Sequence, residues 1–137
     1  MAYPSPLILL PPSEGKAPGG DGPCWGSASM SIDLDGRRSQ VAGALGRAMR
    51  ANAVERGRLL GVKGDALAAA TTANRTVLES PTMAAIDRYS GVLYGALEAS
   101  TLGAAARRRM DRSVVIFSGL WGLVCPTDPI PDYKLKM

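Results

Sequence analysis

Histidine is missing from all 137 residues, and cysteine occurs only twice. The first absence excludes His-containing metal sites, Ser–His–Asp triads and Cys–His pairs. The two cysteines, Cys24 and Cys125, lie in unrelated contexts, which makes neither a disulfide framework nor a zinc pattern. Aromatics are scarce, with one Phe, two Trp and four Tyr. The apolar run at residues 7–10 is too short for a membrane span or a signal peptide, and no basic segment precedes it. The expectation is a soluble, cytoplasmic protein with no membrane partner, no metal and no cofactor. Repeats and low-complexity tracts are also absent, and no linker separates two domains, so residues 1–137 read as a single domain.

What is present is Arg-rich and Gly-rich. Twelve of the sixteen basic residues are Arg, the net charge is +4 and the pI is about 9.4. That excess permits a polyanionic partner without demanding one.

Two short apolar runs read as buried strands: Leu7-Ile8-Leu9-Leu10, bounded by prolines, and Ser113 to Phe117, with Val114, Val115 and Ile116 between. Residues 17–36, rich in Gly, Pro, Ser and Asp, read as a long loop. Ser39 to about Glu55 is the clearest helix. Val41, Leu45, Ala48 and Met49 recur at helical spacing, and Arg38, Arg47, Arg50 and Arg56 fill the remainder. Gly57 is its expected stop, and Asp65 is placed to cap a second helix running to Thr72 or beyond. Pro81 ends that segment. From Thr82 to Leu97 we expect a short helix or strand, a turn at Ser90-Gly91 and a further helical turn. A third helix is expected from Thr101, as cap, to Asp111. The class is α/β, with short buried strands joined by helical crossovers in a mixed or parallel sheet.

Three stretches carry candidate chemistry. Pro-Ser-Glu-Gly-Lys, ending at Lys16, follows the first strand, at the sheet edge where ligands tend to sit. It is not a phosphate-binding P-loop, because Leu10 and Ala17 stand where Gly and Ser or Thr are needed. Leu60-Gly61-Val62-Lys63-Gly64 has the character of a helix–hairpin–helix, whose glycines let the backbone approach a phosphate; an ordinary interhelical turn explains it equally well. In Pro126-Thr127-Asp128-Pro129-Ile130-Pro131-Asp132-Tyr133, three prolines stiffen the chain around Asp128 and Tyr133. Arg107, Arg108, Arg109 and Arg112, spread about 100° apart per residue around a helix, read as a solvated helix end.

LILLPPSEGK near the start, RYSGVLYGAL at 88–97 and FSGLWGLVCPTDPIPDYKLKM at 117–137 together resemble the YaaA peroxide-stress protein family. Cys125 and Lys134 depart from it, each standing where the family usually has Arg. Family members are about twice this length, so an amino-terminal fragment, incomplete relative to the family fold, is expected. Such a fragment would expose strand edges and apolar surface. The resemblance implies a cytoplasmic bacterial protein of the hydrogen peroxide response that limits free iron and oxidative DNA damage. It also implies a helix–hairpin–helix, a basic cleft and binding to double-stranded DNA through backbone contacts. Lys16, Gly61, Lys63 and Gly64 become the candidate DNA-binding residues. No catalytic constellation can be assembled. The alternative reading is an enzyme acting on a small anionic or nucleotide-like substrate in a pocket of Ser13, Lys16, Tyr94, Trp121, Asp128 and Tyr133; a third reading is an inactive fragment. The oligomeric state is left open.

Overall fold

Asn52 divides what periodicity presents as one helix. In the computed structural model, which describes residues 5–136, helix α1 spans Asp35–Ala48 and α2 spans Ala53–Leu60. Asn52 caps α2, its side chain accepting from the Glu55 amide at 3.0 Å. This Asn-x-x-Glu pattern is a local start signal that outweighs the continuing apolar spacing. Gly57 lies inside α2; the stop is Gly61, which is left-handed at φ 69° and donates to Gly57 O at 2.9 Å. Helix α3 spans Gly64–Arg75 with Lys63 at its N-cap, so Asp65 sits in the first turn rather than capping it.

Strand β1 is Ile8–Leu10 and β2 is Gly22–Cys24, followed by a 3-10 turn at Trp25–Ser27. Then come β3 (Pro81–Ala84), α4 (Ala85–Arg88), α5 (Val92–Leu97) and α6 (Ala104–Ser113). Strands β4 (Val114–Ser118), β5 (Gly122–Val124) and β6 (Pro129–Ile130) complete the order. The fold is mixed α/β, with two small sheets of order β1-β4-β5 and β2-β3-β6. β1 pairs parallel to β4, with Leu9 opposite Val115, and β4 turns back antiparallel into β5.

Several expectations are corrected. The 17–36 loop contains β2, which pairs with β3, and Pro81 opens β3 rather than ending a segment. Proline is tolerated there because it is the first residue of its strand. Thr101 belongs to a 3-10 turn, and Gly103 is the N-cap of α6. β1 is not buried: Leu7, Ile8 and Leu9 are exposed at a sheet edge. Val41 of α1 is exposed, whereas Ala42, Leu45 and Met49 are buried.

Arg38 leaves the solvent face assigned to it by periodicity. It is 1 % exposed and donates to Trp121 O (2.8 Å), Leu123 O (2.8 Å) and Ile32 O (2.6 Å). Arg88 is buried likewise, bonding Ala17 O (2.6 Å), Ile130 O (3.3 Å) and Pro81 O (3.3 Å). These two guanidinium forks tie together carbonyls of the short strands and of the turns between them. The core is built around Trp121, Ile116, Val124 and Ile130, with Trp25 tilted against Trp121 at 5.1 Å. Among the described residues no helix is long and apolar enough to cross a membrane.

Candidate functional site

Two prolines end β1, and the chain turns through residues 13–16, where the Gly15 amide donates to Ser13 Oγ at 3.2 Å. The turn is strapped to the segment after α4: Ser90 N bonds Gly15 O (3.0 Å), Ala17 N bonds Arg88 O (2.7 Å), and Lys16 bridges Tyr89. The approach is close enough to require glycine. Gly91 has φ 110°, and a Cβ there would meet Ser13 Oγ at 2.9 Å.

This strapping sets Lys16 against a tyrosine cluster. Its Nζ donates to Ser13 O (2.9 Å) and Glu14 O (3.3 Å), and lies 4.2 Å from the Tyr133 ring centroid and 5.7 Å from that of Tyr89. The Tyr89 and Tyr133 hydroxyls are 2.7 Å apart, and Ser118 Oγ lies 3.0 Å from Tyr133 Oη. Ser118 Oγ already accepts from Trp121 N (3.0 Å) and Leu120 N (3.3 Å), which leaves its own proton for Tyr133. Burial raises the Tyr89 hydroxyl and pushes those of Tyr94 and Tyr133 well above the usual phenol range. Burial, reinforced by the nearby Lys134 ammonium, lowers Lys16 to about 8, against the opposing pull of Asp132 and Glu14.

A cleft of about 290 Å³ opens between this cluster and α3, lined by Lys16, Glu14, Asp132, Tyr133, Lys134 and Val62 among others. A smaller cavity of about 60 Å³ lies on the other side of Lys16 and Tyr133, and Ser13 lines it. Asn74 of α3 holds the far wall: its Nδ2 donates to Lys134 O and its Oδ1 accepts from Lys134 N, both at 2.8 Å.

Ser13, Lys16 and Tyr133 therefore meet. Tyr94 stands one ring away, 5.5 Å from Tyr89, with its hydroxyl on Pro11 O at 2.6 Å. Trp121 packs edge-on behind Tyr133 at 6.2 Å. Asp128 lines neither cavity. It is buried, and its carboxylate accepts from Ser31 N (2.8 Å), Ser31 Oγ (2.6 Å) and Cys125 N (2.8 Å). Asp132, the acidic residue that does face the cleft, was not singled out by spacing; only its place in the stiff Pro-Ile-Pro-Asp-Tyr run points to it. Gly61, Lys63 and Gly64 lie at the α2–α3 turn, joined to the cleft through Val62.

A model of the peroxide stress protein YaaA family matches residues 7–137. The chain belongs to the YaaA family. A UPF0246 protein of Streptomyces coelicolor is 40% identical to it over 132 residues, which is 96% of this chain and 50% of that protein. UPF0246 proteins of Corynebacterium efficiens (42% identical over 131 residues) and Corynebacterium glutamicum (40% over 140) match 95% of this chain and 50% of their own length. The chain thus spans about half the length of the curated relatives it matches. The two departures from the family pattern are structural in different ways. Lys134 pairs with Glu14 at 3.2 Å. The Cys125 thiol is raised by burial and by Asp128, which disfavours the thiolate that peroxide attacks.

Lys16 makes stability depend on pH in a defined window. Its unfolded value is 10.5 and its folded value about 8. Below pH 8 both states are protonated and the folded state bears the whole cost. From 8 towards 10.5 the unfolded state holds the extra proton, so stability rises with pH. The raised tyrosines act oppositely: above pH 10 the unfolded phenols ionise first and stability falls. Urea denaturation is expected to place a maximum near pH 10, and Lys16→Met is expected to remove the rise below it.

Proposed function

We propose that the chain serves a cytoplasmic peroxide-stress protein that grips double-stranded DNA by its backbone and helps limit free iron and oxidative DNA damage. The supporting observation is the start of α3. Lys63, the N-cap, makes no side-chain cap bond, so the first amides of the helix have no side-chain acceptor from that residue. Gly61 and Gly64 both have positive φ, which bares the backbone of the turn on either side of Lys63. Lys136 crosses Gly61, where a Cβ would meet its Cδ at 3.2 Å. Helix amides, a glycine turn and the side chains of Lys63 and Lys136 together suit a phosphate. Contacts of this kind position a duplex without reading its sequence. The peroxide-stress role itself comes from family membership.

Fluorescence anisotropy with duplexes of unrelated sequence tests this. Affinity is expected to fall with salt at about 0.9 log units per phosphate neutralised. Lys63→Ala should weaken binding to all sequences alike and lower the slope by about 1. Asp65, in the first turn of α3, opposes an anion there. Asp65→Asn is therefore expected to tighten binding about two- to fivefold. No binding at low salt, or a Lys63→Ala effect confined to one sequence, overturns the reading.

Convergence of Lys16 and Tyr133 on one cleft favours a second use of the chain, capture of a small anion, but the Asp128 carboxylate is already committed to three donors. The enzyme reading loses Asp128 with it, and Asp132 is the aspartate that lines the cleft instead.

A further inference from the structure

Among the described residues, one face of the β1-β4-β5 sheet is left largely open to solvent. Alternation puts Leu7 and Leu9 on the same side of β1, and the parallel register sets Leu9 beside Val115. Phe117 lies two residues further on that side of β4, and the antiparallel register sets Leu123 of β5 beside it. Five apolar residues thus form a stripe across all three strands. Leu7 is 64 %, Leu9 55 % and Phe117 43 % exposed, and Val115 and Leu123 are half-buried; on the opposite face Val114 and Ile116 are buried and Ile8 is 47 % exposed. Among the described residues β1 pairs with β4 alone, which leaves its other edge open. Parallel pairs are ordinarily covered on both faces, since the helical connections that make them possible lie there. An open parallel pair with an exposed apolar face and an unpaired edge is a surface that protein normally covers.

We propose that this face and the free edge of β1 are the docking surface for the polypeptide corresponding to the half of the relatives that this chain does not match, whether carried on the same chain or supplied separately. The occupant follows from the lengths: the relatives match 95–96% of this chain with only 50% of their own. The matched half leaves a sheet face and a strand edge open, and the other half is available in every relative to close them. A strand added along β1 would satisfy its outward amides, and apolar side chains packed on Leu9, Val115 and Phe117 would remove the stripe from water.

The test is co-expression of the 137-residue chain with the unmatched half of the Streptomyces coelicolor relative. The expected result is a 1:1 complex by light scattering, with new hydrogen-exchange protection at the β1 amides that face away from β4. Leu9→Lys and Phe117→Lys, at sites already exposed, should each raise Kd at least tenfold while leaving the melting temperature of the isolated chain unchanged. Val41→Lys, on an exposed site of α1, should leave Kd unchanged. Absence of a complex overturns the proposal. So does a complex that forms equally well with Leu9→Lys and Phe117→Lys, or a homodimer of the chain alone that either substitution splits, which would make a second copy the occupant.

Discussion

Arg38→Ala is expected to destabilise the chain by about 3–5 kcal/mol, read as a drop in melting temperature of about 10–20 °C. The side chain reaches from α1 to three backbone carbonyls, at Trp121, Leu123 and Ile32. Truncation leaves three acceptors without their donor, each costing about 1–3 kcal/mol where water cannot enter. Asp35, the only carboxylate on this guanidinium among the described residues, is more than half exposed and contributes little. Against a total stability of about 5–15 kcal/mol for a domain of ordinary size, the loss decides whether the chain folds. Arg38→Lys is expected to rescue less than half of it, because an ammonium cannot bridge carbonyls that a planar fork spans. Arg37→Ala, next in sequence but exposed and bonded to Gln40, should fall within about 0.5 kcal/mol of the parent. Equal effects of Arg37→Ala and Arg38→Ala in urea denaturation would contradict the buried fork.

Asp128 carries the second large effect. Both carboxylate oxygens accept: Oδ1 from the Ser31 amide and hydroxyl, Oδ2 from the Cys125 amide. Asp128→Ala is expected to cost about 3 kcal/mol, because two part-buried amides and the Ser31 hydroxyl lose a charged acceptor. Asp128→Asn is expected to cost about 2 kcal/mol, since one amide nitrogen must then face a donor. A carboxylate used for chemistry would behave differently: its Asn variant would keep full stability and lose only function. Thermal melts of the two variants separate a strut from a catalytic group.

Much of the fold was legible in local sequence. The β-branched run of β4, the strand-ending Pro11-Pro12, the helices and the glycines around Lys63 are each signalled within a few residues. Lys16 and Tyr133 were each singled out as candidates, but spacing gave no reason for their side chains to meet. The Asn52-x-x-Glu55 start was also there to be read and was outweighed by periodicity. β2, β5 and β6 were not legible, because strands of two or three residues containing Pro or Gly hold too few side chains to show alternation. β1 had the apolar pattern of a strand covered on both sides; its composition cannot say whether the cover lies within these residues.

The sequence by itself determined the family, the α/β class, the glycine-bracketed turn at Lys63 and the stiff loop that ends in Tyr133. Only the tertiary structure decided which arginine is buried, which aspartate is a strut and which tyrosines face Lys16. The reason is separation along the chain. Helical and strand periods are set by neighbours, whereas Arg38 finds its carbonyls 83 and 85 residues away and Asp128 finds Ser31 at a distance of 97. A polar side chain looks alike in sequence whether water or a distant backbone will satisfy it, and folding alone chooses between them.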